Sequence, residues 1–179
     1  NPLDLVPARH DAVIAVTDGA PRAGLITHRL LPIATVPVCA PAFLAAGPVD
    51  FASVPKLHAR PRPDDWRRWL DHAGLGAVPA LSGSSFESIG LALEAAAAGL
   101  GVAIAIAALL GPDLARGAVV RAHSLVRPTR RWFVLQYELR HEADPALAAF
   151  AGWLCAACAA QPVAIGSAGS GAHSDSEAS

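Results

Sequence analysis

One continuous stretch, residues 81–106, constrains the fold of this chain more than any other. Ser84 precedes an alanine-rich apolar run. Glu87 lies three residues after Ser84, which is the spacing of a helix capping box. Gly99-Leu100-Gly101 ends the run, because glycine adopts the left-handed conformations that terminate helices. The apolar residues 102–106 then predict a short buried strand. The stretch therefore predicts a helix that starts at Ser84, a glycine stop and a strand.

The N-terminus of such a helix is a favourable binding site for an anion. The first turn of a helix presents unpaired backbone N–H groups and the positive end of the helix dipole. A Ser/Gly loop in front of the helix adds hydroxyl groups to these donors. The pattern is typical of a domain that senses a small acidic molecule.

Composition sets the size and excludes one class of partner. The chain has 179 residues, of which 53% are hydrophobic and 16% charged, so it can bury a core in one domain or in two small lobes. A formal net charge of −1 argues against binding of nucleic acid by this chain, because such binding normally requires a concentrated basic face. The chain begins at Asn1 rather than at methionine, so we expect a fragment or a processed chain.

The cysteines predict no disulfide framework and no metal site, and the longest apolar run predicts no membrane span. Three cysteines make no disulfide framework, and Cys155-Ala-Ala-Cys158 has no second cysteine or histidine pair to complete a metal set. These thiols indicate a reducing, cytoplasmic compartment. Residues 1–10 lack a basic region followed by an apolar run, so we expect no signal peptide there. Residues 91–110 are long enough to cross a membrane, but Glu94 and the glycines interrupt them, so we predict no span.

Strand and helix patterns alternate along the chain, as in α/β proteins. Trp66 and Trp69 lie three apart and predict a helix anchored in the core. Leu147, Phe150, Ala151 and Leu154 predict the apolar face of a C-terminal helix. Predicted strands lie at residues 11–16 (covered on both faces), 25–31, 35–39, 102–106, 118–120 and 131–139. Predicted helices lie at residues 41–44, from Asp64 or Asp65 to about Gly74, from Ser84 to Gly99, and at 108–114 and 145–158.

Several short segments, in this order, carry a resemblance to a known family. The segments are DAVIAV (11–16) with Asp18-Gly19, Gly24-Leu25, Arg29-Leu30, PVCAP (37–41) with Phe43-Leu44, WRRWL (66–70), Phe86, LEAA (93–96), AGLGVA (98–103), residues 114–117 with Val119-Val120, and FAGWL (150–154). Together they resemble the effector-binding half of LysR-type transcriptional regulators, and within that family the subgroup of the glycine-cleavage activator.

The resemblance implies a fold and its domain boundaries. The fold is of the α/β class, type II periplasmic-binding-protein-like, with two lobes joined by two crossover strands and the ligand in the cleft. Residues 1–38 and 132–160 would form lobe one, residues 39–131 lobe two, and residues 161–179 a disordered tail. The crossover strands would be residues 35–40 and 131–136. The family's opening strand and helix have no counterpart here, so we expect lobe one to be incomplete and the DNA-binding helix-turn-helix to be absent.

The resemblance also implies a site for the effector. Ser84, Ser85 and Phe86 would face the cleft, where hydroxyl and N–H groups take a carboxylate and Phe86 packs on the carbon skeleton of the ligand. Thr17 and Asp18 would close the other side. The alternatives are that Ser84 only caps its helix and that Asp18 serves a turn with Gly19.

The resulting prediction is an effector-binding regulatory domain rather than an enzyme. Residues 83–87 lack the second glycine of a nucleophile elbow, the histidines are scattered, and residues 99–104 stop short of a dinucleotide-binding motif. We expect a small carboxylate as effector, no cofactor and no membrane partner. The full-length protein would be a homodimer or tetramer that contacts DNA only through the absent part. The rivals are a solute-binding protein of a transporter, an enzyme on the same fold and a truncated, non-functional remnant.

Overall fold

Two long antiparallel strands, Leu25–Cys39 and Arg127–Glu138, lie at the centre of the sheet. The structure is a computed structural model and describes residues 10–45 and 47–161. The described strands are β1 (Val13–Thr17), β2 (Leu25–Cys39), β3 (Lys56–Ala59), β4 (Ser85–Phe86), β5 (Val102–Ile106), β6 (Val120–Arg121) and β7 (Arg127–Glu138). The described α-helices are α1 (Asp65–His72), α2 (Ile89–Ala97), α3 (Gly111–Ala115) and α4 (Pro145–Ala159), and short 3-10 turns lie at Pro41–Leu44, Ala107–Leu109 and Leu139–His141.

The strands form one mixed sheet around this β2–β7 ribbon. Their order is β1-β7-β2-β5-β3-β4, and β6 also pairs with β2. β1 and β2 are antiparallel to β7, β5 is antiparallel to β2, and β3 runs parallel to both β4 and β5. The β2–β7 register shifts twice, between Arg29 and Leu31 and between Pro32 and Ala34. The ribbon is therefore irregular near its middle.

The predicted strands at residues 25–31 and 35–39 are parts of one continuous strand. β2 spans 15 residues and includes Pro32 and Pro37 within its paired length. Both long strands also extend beyond the predicted crossover segments, 35–40 and 131–136. The predicted lobe boundaries stay a prediction.

At the end of the sheet formed by β3, β5 and the second half of β2, the core has two clusters, one on each face. The clusters are separate because side chains alternate along a strand. Ala34, Val36 and Val38 of β2 pack with α2, together with Ala103 and Ala105 of β5. The alternate residues Cys39, Val102 and Ile104 pack with α1 on the opposite face. α1 and α2 therefore cover opposite faces of the sheet.

Both tryptophans of α1 lie in the core, as the sequence predicts. Trp66 and Trp69 are almost fully buried, and their indole N–H groups donate to backbone carbonyls, Trp66 to Leu57 at 3.1 Å and Trp69 to Leu125 at 3.3 Å. The side chain of Asp64 makes no capping bond and instead pairs with Arg68 at 3.0 Å. The helix is held by burial of its aromatic face.

Three further predictions need correction. The strand at residues 11–16 is β1, and Ile14 is half exposed, so the strand is not covered on both faces. On α4, Leu147 and Ala151 are buried, but Phe150 is 43% exposed and lies beside Trp153. The short strand predicted at residues 118–120 is Val120–Arg121. The predicted tail beyond Gln161 lies outside the described residues.

The predicted start of the central helix is wrong. α2 begins at Ile89, and Ser88 is its N-cap, with the hydroxyl of Ser88 accepting from the N–H of Leu91 at 3.2 Å. Glu87 pairs with Arg60 at 2.8 Å instead of closing a capping box. Ser84 precedes β4, which pairs with β3. The glycine stop and the strand at residues 102–106 are confirmed.

Candidate functional site

The carboxyl ends of strands from both ends of the sheet meet at the middle of the β2–β7 ribbon. β5 ends at Ile106, which pairs with Thr35 of β2. β1 ends at Thr17, which pairs with Trp132 of β7, and Trp132 pairs with Pro32 of β2. Pro32 and Thr35 are three residues apart along β2, roughly 10 Å. Ligands of α/β sheets bind at the carboxyl ends of strands, so this junction is the candidate site.

One short segment of β2 connects α2 with the end of β1. Ala34 and Val36 alternate along β2 and share a face, and a register shift separates them from Pro32. Ala34 and Val36 pack against α2, whereas Pro32 lies opposite Trp132, which lies opposite Thr17. Residues 32–36 of β2 therefore connect the α2 cluster with the end of β1, and we call this junction the candidate cleft.

The first turn of α2 contains backbone donors that the helix itself does not use. Ser88 accepts from Leu91, and its carbonyl accepts the first helical bond, from Ala92 at 3.3 Å. The N–H groups of Ile89 and Gly90 precede the first helical bond, so they have no partner within the helix. Because α2 follows β4 directly, these donors lie at the carboxyl edge of the parallel strands.

The Ser88→Ala variant is expected to lose about 1 kcal/mol of stability, because it removes the side-chain acceptor of the helix cap. Urea unfolding followed by circular dichroism measures the change. Ser84→Ala is the matched control, since Ser84 is exposed and caps no helix, and we expect a change within about 0.5 kcal/mol. A larger loss in Ser84→Ala than in Ser88→Ala would contradict the observed helix start.

Thr17 and Asp18 lie at the end of β1, and both are used by the turn that follows it. The hydroxyl of Thr17, a buried residue, accepts from the N–H of Gly19 at 2.9 Å. The carboxylate of Asp18 accepts from the N–H of Ala20 at 3.0 Å. The turn interpretation of Asp18 therefore agrees with the structure, and binding by either side chain stays a prediction.

Ser84, Ser85 and Phe86 do not share one face. Phe86 is half-buried and packs against the cluster under α2, so its side chain faces the cleft side. Alternation along β4 directs the Ser84 side chain to the same side and the Ser85 side chain to the other. The backbone around them is occupied by β3, since His58 donates to the Ser84 carbonyl at 2.8 Å and Arg60 donates to the Phe86 carbonyl at 2.8 Å.

Sequence reasoning did not single out Arg29 and Trp132 as site residues. The guanidinium carbon of Arg29 lies 5.4 Å from the centre of the Trp132 ring, and Nε of Arg29 donates to the Gly19 carbonyl at 3.1 Å. Its terminal NH2 groups make no bond to any described residue. Arg29 is exposed and lies opposite Val134 on the face that carries Trp132. A fixed guanidinium, whose terminal NH2 groups have no partner among the described residues, therefore lies beside the end of β1.

The described part of the chain offers little support for a metal site, a reactive cysteine or a membrane-spanning helix. No group of three or more His, Cys, Asp or Glu residues is placed there to hold a metal ion. Burial, and to a lesser degree Cys155, raise the pKa of the Cys158 thiol, which therefore does not have the depressed pKa of a reactive cysteine. Within residues 10–45 and 47–161, no helix has the length and apolarity to cross a bilayer. An open depression of about 650 Å³ lies away from the cleft, between the start of β1 and α4.

The fold is of the type II periplasmic-binding-protein-like class. Residues 1–159 match the family described as the LysR substrate binding domain, and the chain belongs to this family. It is 30% identical to the effector domain of the transcriptional regulator AmpR of Pseudomonas aeruginosa, with a TM-score of 0.71, over 87% of this chain and 75% of that one. The AmpR effector-binding domain of Citrobacter freundii superimposes with a TM-score of 0.73 at 24% identity, over 89% of this chain and 80% of that one.

Curated relatives are regulators rather than enzymes. The chain is 37% identical over 100 residues to the HTH-type transcriptional regulator TrpI of Pseudomonas aeruginosa, which is 56% of this chain and 33% of that protein. Across the curated relatives it matches, the chain spans about a third to a half of their length. The chain therefore corresponds to the effector-sensing regulatory domain of such proteins, and the narrower glycine-cleavage-activator subgroup stays a prediction.

Proposed function

We propose that this chain senses a small anionic metabolite in the cleft between the end of β1 and the start of α2. The observation that carries the proposal is Arg29, whose guanidinium is held by the Gly19 carbonyl and the Trp132 ring while its terminal NH2 groups stay unpaired among the described residues. A fixed guanidinium binds a carboxylate with two parallel hydrogen bonds. The apolar ring of Trp132 beside it strengthens such a bond by excluding water.

The opposite border of the cleft supplies complementary groups. The N–H groups of Ile89 and Gly90 and the hydroxyl of Ser84 are donors, and Phe86 offers an apolar surface for the carbon skeleton of the ligand. A ligand that contacts both Arg29 and the start of α2 links the two ends of the sheet. Thr17 and Asp18 border the same cleft and would limit its size.

The ligand would act by shifting the population of two arrangements of the sheet. The β2–β7 ribbon connects the two ends and changes register near the cleft, at Arg29/Leu31 and Pro32/Ala34. A ligand with contacts on both sides favours the arrangement in which both sets of contacts form. In a whole LysR-type regulator, which would be a dimer or tetramer, this change would be transmitted to the DNA-binding part.

A matched ligand series tests the proposal. The 179-residue chain is screened by thermal shift against mono- and dicarboxylates, each beside its own amide, and each hit is titrated by calorimetry. We expect carboxylates to raise the melting temperature and their amides to leave it unchanged. The Arg29→Gln variant should bind the best carboxylate at least about tenfold more weakly, because a hydrogen bond to a charged group is lost.

Two controls make this test specific. Ser85→Ala should bind as the unaltered chain does, because the Ser85 side chain points to the other face of β4. Arg22→Gln removes the same charge from an exposed turn and should also bind normally. Amides that bind as well as the acids, or an Arg29→Gln variant that keeps full affinity, would contradict the proposal.

A further inference from the structure

One side of α4 is both apolar and exposed. Ala146, Phe150, Trp153 and Ala157 follow the spacing of one helix side, and all four are exposed; we call this set the α4 seam. Each member directly precedes a residue of the side that packs on the sheet, which consists of Leu147, Ala151, Leu154 and Cys158. The seam therefore lies about 100° around the helix from the core.

The sequence of α4 supplies no charge that would keep this side in water. Residues 145–159 contain no charged side chain, although a surface helix normally carries charged or polar residues on its outer face. Phe150 is 43% exposed and Trp153 is 64% exposed, and their ring centres lie 5.9 Å apart. Adjoining exposed aromatic rings are typical of a surface that binds another polypeptide.

The seam borders an open depression that combines apolar and charged groups. Phe150 lines this depression with Leu147 and Ala12, and the charged residues Asp11 and Arg140 lie in its wall. An apolar centre with charges of both signs at its edge is the composition of a protein–protein interface.

The residues of the seam are arranged symmetrically, with the two aromatic residues in the middle and an alanine at each end. Two antiparallel copies of α4, related by a two-fold axis midway between residues 151 and 152, would set Phe150 of one copy against Trp153 of the other. The same axis sets Ala146 against Ala157, and these small residues let the helix ends approach closely. Antiparallel pairing also brings the positive end of each helix dipole beside the negative end of the other.

We propose that the α4 seam docks on a second copy of this chain, as an antiparallel, two-fold-symmetric pair of α4 helices. The exposed parts of Phe150 and Trp153 amount to roughly 250 Å² per copy, whereas a stable interface buries about 800 Å² on each partner. The dimer is therefore weak, and its population depends on protein concentration in the micromolar range. The seam and the effector cleft involve different residues, so this proposal does not depend on the proposed function.

Sedimentation velocity of the 179-residue chain over about 5–500 µM tests the interface. We expect a monomer at the dilute end and a dimer fraction that grows with concentration. Phe150→Lys and Trp153→Glu should each weaken dimerisation at least about tenfold, because each buries a charge at the apolar centre of the interface. An equimolar mixture of the two variants should dimerise again, because residue 150 of one copy lies against residue 153 of the other and the introduced charges are opposite.

Leu100→Glu is the control for an added charge. Leu100 is 59% exposed and lies in the turn between α2 and β5, so this variant should dimerise as the unaltered chain does. Circular dichroism checks that each variant folds, and Trp153→Ala, with the same expected loss of dimer, replaces any seam variant that does not. A chain that stays monomeric at the highest concentration would overturn the proposal and leave the seam to a different polypeptide. A dimer that Trp153→Glu leaves intact would also overturn it, and a mixture of the two variants that stays monomeric would overturn the antiparallel pairing.

Discussion

Replacement of Gly83 by alanine is expected to lower the free energy of unfolding by at least about 3 kcal/mol. Gly83 has a φ of +118°, and an added Cβ would lie 1.9 Å from the carbonyl oxygen of Lys56 and 2.7 Å from its backbone nitrogen. Both obstacles are backbone atoms, so no side-chain rotation relieves the clash, and β4 must move away from β3. Such a loss lowers the melting temperature by roughly 6–12 °C in a chain of this size.

The displacement would also disturb a buried cation. Lys56 is fully buried, and its ammonium donates to the Phe51 carbonyl at 2.7 Å and to the Ser82 hydroxyl at 3.2 Å. Ser82 directly precedes Gly83, so a shift of this segment removes one partner of the ammonium. Thermal unfolding by circular dichroism measures the total effect.

Gly99→Ala is the matched control for Gly83→Ala. Gly99 also has a positive φ, +80°, but no atom lies within 4 Å of an added Cβ. The substitution should cost only the left-handed strain of alanine, about 1–2 kcal/mol. Equal losses in the two variants would show that conformational strain, and not contact with Lys56, accounts for the effect at Gly83.

The second large effect is expected from Trp69→Ala, with a loss of about 3–5 kcal/mol. Trp69 is fully buried, and its ring centre lies 5.1 Å from that of Phe51 and 6.3 Å from that of Trp66. Alanine leaves a cavity among these rings and leaves the Leu125 carbonyl without its indole donor. Urea unfolding, with circular dichroism as the signal, measures the loss.

Trp153→Ala provides the control with the same change of side chain. Trp153 on α4 is 64% exposed, and Phe150 is its aromatic neighbour, at 5.9 Å. We expect a loss below about 1 kcal/mol, because little apolar area is transferred from water at this position. If Trp69→Ala destabilised the chain no more than Trp153→Ala does, the α1 core would not have the packing described above.

Local composition predicts the elements whose environment is uniform along their length. β5 is buried at all five positions, and its unbroken apolar run is the sequence pattern of a covered strand. For β2 the sequence predicts two pieces, one on each side of Pro32, and proline removes a ladder donor. The strand continues because it is paired on both sides of Pro32, by β7 and by β5, which a local pattern does not contain.

The candidate site is harder to predict because two local rules compete at its helix. Ser84 and Glu87 satisfy the capping-box spacing, but Glu87 pairs with Arg60, which is far away in sequence, and β4 pairs with β3. The helix therefore takes Ser88 as its cap. Arg29 and Trp132 meet only because β2 and β7 pair along the ribbon, so neither residue alone carries a signal of binding.

The pairing of β7 with both β1 and β2 has a consequence for how the chain is made. Arg131 donates to the Val16 carbonyl across a sequence separation of 115 residues, and Gln136 donates to Thr27 across 109. Non-local pairing of this kind slows folding, because a long loop must close before the contacts form. During synthesis on the ribosome, β1 and the first half of β2 have no pairing partner until β7, in the last third of the chain, has been made. During that interval their apolar edges are open to other chains, so the yield of folded protein should depend on how quickly synthesis reaches β7.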